Sequence, residues 1–286
     1  MPKFNKLISG WLLCTSLLAG SNSFADEASA RLAMENPLNP LLLLSTSQGN
    51  IYLELLPEEA PQNVERFIAL AQGEVEFFDA IANTSYTPRY YDGMYFHRVI
   101  PGFVIQGGSP NYHPLGMPDE NLDDEINASA LGLDRLPVLA ANGTINPILN
   151  VSSQTDFADR ILAPLYQALN IDSAGDLEQQ QSEVLSALQS LTVMRLYEYE
   201  GYDYQNRFPT RAISRGTLAL ANAGPNQNGP EFFIALTDSK WLNGRYTVIG
   251  NVVEGIEVAD SIGSTAIDPI GFDPQSSVIY SIRRLN

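Results

Sequence analysis

The sequence predicts a mainly β protein, a closed barrel flanked by two helices and interrupted by an inserted α-helical hairpin. Three observations carry this expectation. Short apolar or alternating runs bounded by turn residues recur in both outer parts of the chain, at 41–44, 51–55, 95–106, 217–221, 231–236, 246–253 and 277–283. Only two stretches in those parts have helical character, one opened by Pro61 and one at 256–262. The middle, from about 152 to 201, carries helical stripes with few glycines. Many short strands with two helices suit closure, because a closed sheet exposes no unpaired edge.

The first 25 residues read as an export signal. Lys3 and Lys6 precede an apolar run over 7–19, and Ser23-Phe24-Ala25 places small residues before a cut at Asp26. That run is shorter than the about 20 apolar residues a membrane span requires. The chain is therefore expected to be exported, most simply to a periplasm, with no membrane span after cleavage. Cleavage leaves 14 basic residues against 33 acidic ones, a net −19, and removes Cys14, the sole cysteine. Stability then rests on packing, with no disulfide. A surface this acidic repels phosphate backbones, which excludes nucleic acid as a partner. Two histidines, His97 and His113, leave too few soft ligands for zinc or an iron–sulfur cluster, so no metal or cofactor is expected.

Residues 26–38 read as a leader and 39–286 as the barrel, interrupted by the helical insertion at about 136–212. Gly49 turns the hairpin between 41–44 and 51–55. Pro61 suits a first helical turn, Val64, Phe67, Ile68 and Leu70 form its apolar stripe, and Gly73 suits its end. Pro101-Gly102 breaks the β-rich run that follows. In the insertion, Ile161, Leu162, Leu165 and Leu169 form one stripe, and Leu177, Val184, Leu188, Leu191 and Leu196 a longer one. The acidic run Asp119, Glu120, Asp123, Asp124, Glu125 lacks the ordered spacing and glycine of a calcium loop and is expected to be solvated.

Two segments carry chemistry. One is Phe96-His97-Arg98-Val99-Ile100-Pro101-Gly102-Phe103-Val104-Ile105-Gln106-Gly107-Gly108. The other runs from Ala219 through Asn222 and Glu231 to Ile234, followed by Trp241-Leu242-Asn243-Gly244-Arg245-Tyr246. Arg98 sits in an otherwise apolar strand, where a guanidinium must have its donors used. Alternation places Val104 and Gln106 on one face, and the bend at Pro101-Gly102 brings Phe103 beside them. Phe233, Trp241, Leu242 and Tyr246 add apolar wall. Taken alone, Arg98 reads equally well as half of a structural ion pair. His97, next to it, reads as a structural side chain on the opposite face.

No Ser–His–Asp set, carboxylate pair or phosphate loop accompanies this pocket. It suits a reaction that needs neither nucleophile nor proton transfer. Rotation about an X–Pro bond meets a barrier of about 18–20 kcal/mol because the nitrogen lone pair is delocalised into the carbonyl. In the twisted transition state the lone pair returns to nitrogen, which becomes an acceptor. A guanidinium placed there binds the twisted form better than either planar isomer.

The two segments resemble the signature blocks of the cyclophilin family of peptidyl-prolyl cis–trans isomerases, and the likeness extends over 41–135 and 213–286. The resemblance implies an eight-stranded antiparallel barrel closed by two helices. It implies Arg98 as the catalytic residue, with Phe103, Val104, Phe233, Leu242 and Tyr246 around the prolyl ring. Gln106, Ala221, Asn222, Ala223 and Glu231 would position substrate, and Trp241 marks the site associated with cyclosporin. Proline-containing unfolded or partly folded polypeptides are the implied partners. Four residues depart from the family pattern: Val104 for methionine, Glu231 for glutamine, Tyr246 for histidine and Pro230 for a small polar residue. Glu231 brings a charge that either pairs with Arg98 and competes with substrate or orients it. The insertion has two readings, a hairpin that only decorates the barrel, or a lid or platform for an unknown protein partner. The tyrosines at 197, 199, 202 and 204 hint at an exposed contact patch. If the insertion blocked the groove, or Glu231 neutralised Arg98, the chain would be a binding module or chaperone without catalysis.

Overall fold

A computed structural model describes residues 25–79, 81–118, 121–267 and 277–286. The expected export signal lies almost wholly outside the described residues. Among the described residues ten strands form two sheets. The strands β1 (Leu41–Thr46) and β2 (Gly49–Leu55) make the expected hairpin. The strands β3 (Phe77–Asp79) and β4 (Thr84–Tyr86) form a separate two-stranded sheet, a small hairpin that no local pattern signalled. The remaining strands are β5 (Arg98–Ile100), β6 (Val104–Gly107), β7 (Thr217–Asn222), β8 (Asn228–Ala235), β9 (Val248–Glu254) and β10 (Ile279–Leu285).

The main sheet has eight antiparallel strands in the order β10-β1-β2-β9-β7-β8-β6-β5. It is open between its end strands, which corrects the expectation of a closed barrel. The turn at Pro101-Gly102 stops β5 after three residues, too short for a ladder. Isolated bridges, Tyr95 to Val278 and Val99 to Ile267, span the gap instead. The result is a half-barrel.

Two helices pack on its core. In α2 (Pro61–Gln72), Val64, Phe67, Leu70 and Ala71 are buried, and Gly73 ends the helix in a left-handed conformation with φ of 76°. The helix α8 (Ile256–Ile262) buries Ala259 and Ile262 in the same core. Period-two alternation divides the sheet's faces. Val99, Ile105, Leu218, Leu220, Phe232, Ile234 and Ile249 turn into the main core. Val104, Ala219, Phe233, Ala235 and Val248 turn to the other face, where they form a smaller cluster with Leu242. The site lies on that second face.

Residues 26–38, expected as a leader, carry a helix. Asp26 caps the helix α1 (Glu27–Ala33), whose Ala30 packs with Met34 against Leu41 and Tyr52. The fully buried Glu54 carboxylate accepts from the backbone N–H of Glu35 and Asn36 and from Asn39 Nδ2.

Between β6 and β7 the helical segment departs from a two-helix hairpin. A capped helix, α3 (Gln154–Phe157), passes through a π turn, Ala158–Leu162, into α4 (Ala163–Ala168). The wide turn lies beside Pro164, which lacks the N–H that a regular helix would use there. The longer stripe is divided among α5 (Ala174–Gln179), α6 (Gln181–Ser190) and α7 (Val193–Tyr199). Ser173 and Thr192 cap α5 and α7, so local side-chain caps interrupt what the apolar spacing alone reads as continuous. Leu133, Val138, Leu149, Ile161, Leu191, Val193, Leu196 and Tyr197 form a core of their own. Tyr199, Tyr202 and Tyr204 pack against it, so the tyrosines are not an exposed patch.

Of the acidic run, Asp119 and Glu120 lie outside the described residues, and the other three are not all solvated. Asp124 and Glu125 are buried. Glu125 accepts from the N–H groups of Gln62 and Asn63, the first turn of α2, where a negative charge complements the helix end. Asp124 accepts from Asn226 N–H, Asn228 Nδ2 and the Thr247 hydroxyl. Among the described residues no helix is long and apolar enough to cross a membrane.

Candidate functional site

Register assembles the site. Arg98 in β5 lies directly opposite Gln106 in β6, Gln106 opposite Phe233 in β8, and Phe233 opposite Ala219 in β7. One row across four strands thus presents a cation, an amide, an aromatic ring and a small residue on a single face. Val104, two residues from Gln106, shares that face and is buried. Phe103, in the turn before β6, stacks on Trp241 with ring centres 5.2 Å apart. Phe233 meets Tyr246 edge to face at 5.4 Å. Leu242 is buried beneath them.

These side chains line a cleft of about 250 Å³, formed by Arg98, Phe103, Val104, Gln106, Ala221, Asn222, Phe233, Trp241, Leu242 and Tyr246. Ten of the twelve residues singled out in the sequence meet there. Ala223 and Glu231 line an adjoining cleft of about 310 Å³, which shares Gln106, Ala221 and Asn222 with the first. No residue of the helical segment lines either cleft.

The polar groups form a directed chain. Arg98 Nη1 donates to Gln106 Oε1 at 3.0 Å, and Gln106 Nε2 donates to Glu231 Oε1. His97 Nε2 lies 3.1 Å from that same carboxylate oxygen. Among the described residues Arg98 forms no ion pair, so neither the structural pairing nor competition by Glu231 is what the geometry shows. Glu231 acts on Gln106 instead. An amide has one accepting and one donating end. With its donor end held by a carboxylate, Gln106 must turn its oxygen to Arg98. Burial works to raise the Glu231 carboxyl, but donors from His97, Gln106 and Ser109 outweigh it and hold it below its ordinary value.

His97 therefore faces the site network and not the opposite side, as sequence reasoning had it. Its Nδ1 is buried with no hydrogen-bond partner among the described residues. A signal existed: a carboxylate placed where the strand is half-buried requires donors, and His97 is the polar neighbour of Arg98. Asn222 is oriented in a similar way. Its Nδ2 donates to the backbone carbonyl of Arg245 at 3.0 Å, which leaves Oδ1 as an acceptor toward the cleft.

The arrangement holds one cation, with donors that no described residue uses, at an apolar hollow large enough for a five-membered ring, flanked by amides that suit an extended backbone. Among the described residues no group of three or more His, Cys, Asp or Glu side chains could hold a metal ion.

Comparison with known proteins identifies the family. The model of the family described as cyclophilin type peptidyl-prolyl cis-trans isomerase/CLD matches residues 41–282. The chain belongs to this family of isomerases. It is 28% identical over 238 residues to peptidyl-prolyl cis-trans isomerase B of Streptomyces anulatus, a match covering 82% of this chain and 90% of that protein. It is 27% identical to isomerase ppi1 of Schizosaccharomyces pombe, covering 79% of this chain and 86% of the other. It is likewise 27% identical to peptidyl-prolyl cis-trans isomerase A of Mycobacterium tuberculosis, covering 84% and 88%. A crystal structure of a cyclophilin type isomerase from Cryptosporidium parvum superposes with a TM-score of 0.46 at 19% identity, covering 87% of this chain and 98% of that one.

Proposed function

We propose that this protein isomerises X–Pro bonds in exported, unfolded or partly folded polypeptides, with Arg98 stabilising the twisted prolyl nitrogen. The observation that carries the reading is the state of Arg98: at the rim of an apolar cleft, oriented by Gln106 and free of any carboxylate among the described residues. A guanidinium has five N–H donors, and Gln106 uses one of them. The others are available to a nitrogen that gains its lone pair only on twisting.

The prolyl ring enters among Phe103, Val104, Phe233 and Leu242, while Asn222 Oδ1 accepts a substrate backbone N–H. Held this way, the ring is fixed and the acyl side turns. Cyclosporin would compete for the same cleft at Trp241. The opposing reading, a chaperone without catalysis, required a blocked groove or a neutralised arginine, and the lining of the cleft and the partner of Glu231 support neither. Export to a periplasm rests on Lys3, Lys6, the apolar run at 7–19 and Ser23-Phe24-Ala25.

A protease-coupled assay on a proline peptide tests the activity. Acceleration over the uncatalysed tens to hundreds of seconds is expected for the wild type, and no acceleration contradicts it. Sequencing the N-terminus of protein recovered after expression in a bacterium with two membranes tests export, with Asp26 expected first.

A further inference from the structure

We infer that the helical segment between β6 and β7 is part of the substrate-binding machinery, with Glu200 and Tyr204 as positioning residues for Asn222 and for the Trp241–Tyr246 wall. The inference deepens the isomerase reading and rests on it for the identity of the substrate.

Residues 240–246 supply three wall residues, Trp241, Leu242 and Tyr246, on the side that faces the cleft. The segment between β6 and β7 packs against the same stretch at three places, the turn Lys240–Leu242, Gly244 and Arg245. The 3-10 turn Pro147–Leu149 packs against the 3-10 turn Lys240–Leu242. Tyr204 donates its hydroxyl to the Gly244 carbonyl at 2.8 Å. Gly244 has φ of 85°, and a Cβ there would stand 2.5 Å from Leu133 Cδ1 and 3.3 Å from both Tyr197 and Tyr204. Arg245 is clamped: its Nη2 donates to both Glu200 oxygens, at 3.0 and 2.7 Å, and its guanidinium lies 4.3 Å from the centre of the Tyr197 ring.

This clamp reaches the cleft through the backbone. The carbonyl of Arg245 accepts from Asn222 Nδ2 at 3.0 Å. That contact decides which end of the Asn222 amide faces substrate. The path from Glu200 to Arg245 to Asn222 is short and half-buried. Its first link, from Glu200 to the Arg245 guanidinium, is charge-assisted and stronger than a neutral bond, and its second is a neutral amide bond to the Arg245 carbonyl. An ornamental segment would touch the barrel on a face remote from the cleft. This one instead sits behind the wall and leaves the opening clear.

The role acts on binding and not on Arg98, because among the described residues no member of the path hydrogen-bonds to β5 or Gln106. Loss of the clamp therefore raises KM and leaves kcat in place. The test uses the full chain and two mild variants, Glu200→Gln and Tyr204→Phe, each checked for folding by its thermal melt. A control, Glu198→Gln, removes an exposed ion pair with Arg195 on the same helix. The expected result is a KM increase of about three- to tenfold in each of the two variants with kcat unchanged, and no change in the control. Glu200→Asp, which keeps the charge, should recover part of the loss. Wild-type KM in both folded variants overturns the inference, as does a fall in kcat with KM unchanged. Peptide dissociation constants measured in parallel keep the two claims apart. If the wild type binds peptide without turning it over, the isomerase reading fails, and the Kd of the variants still decides this one.

Discussion

The carboxylate of Glu231 holds the amide of Gln106 and leaves Arg98 alone. The two residues come from strands far apart in sequence, β8 and β6, and are brought together by the pairing of Gln106 with Phe233. The negative charge near Arg98 is therefore an orienting device, with an amide between the two charges.

Replacement of Glu231 by glutamine tests this. Were the carboxylate bound to Arg98, the neutral variant would turn over faster. With the carboxylate on Gln106, Glu231→Gln lets that amide adopt either orientation, and Arg98 loses a fixed acceptor. The expected outcome is a kcat lower by about two- to fivefold, near the loss of 0.5–1 kcal/mol of orientation. Steady-state kinetics on a proline peptide measure it, and a rise in kcat contradicts the orienting role.

His97 makes the Glu231 ionisation easier. A carboxyl whose pKa is lowered by folding stabilises the native state while it is ionised. That contribution is whole above the ordinary value of 4.5 and is lost as pH falls through the lower folded value. Removing the His97 donor moves the folded value upward, so the loss begins at higher pH. Carbon-13 NMR of the Glu231 carboxyl, titrated from about pH 6 to about pH 3, should show a midpoint below 4.5 in the wild type and a higher one in His97→Phe. Equal midpoints contradict the assignment.

Arg211 ties three parts of the chain together. Its guanidinium donates to Glu59, which is 8% exposed, and to Glu35 in the leader, at distances from 2.6 to 3.1 Å. Arg211→Met strands the buried Glu59 carboxylate. A loss of about 2 kcal/mol is expected, below the range for a fully buried pair because Arg211 is partly exposed. The double variant Arg211→Met, Glu59→Met should recover much of it. Urea unfolding measures both, and a single variant as stable as the wild type contradicts the prediction.

Much of this was legible in the sequence because it is local. Pro61 and Gly73 bracket α2, the hairpin of β1 and β2 follows from alternation around Gly49, and α8 needs only its apolar spacing. The shared face of Val104 and Gln106 is likewise a two-residue relation. What was not legible depends on distance. Closure failed because it needs a ladder between β5 and β10, and the length of β5 is set by a turn whose effect on pairing no local pattern records. His97 and Glu231 are 134 residues apart, so the contact is invisible until β6 and β8 are paired. The solvated reading of Asp124 and Glu125 failed because their partners, Asn226, Asn228 and the first turn of α2, lie on other elements. The tyrosines looked like a surface patch because residues that seal one packing unit against another have the same composition as an interface.

On the proposed mechanism Arg98 recognises the twisted bond and not the planar one. Nuclear magnetic resonance exchange measurements on a saturating proline peptide, with wild type and Arg98→Ala, separate the two. The account predicts a fall of about 100-fold or more in the on-enzyme isomerisation rate with the peptide dissociation constant changed by no more than about threefold. An isomerisation rate that survives the substitution, or a loss confined to binding, contradicts it.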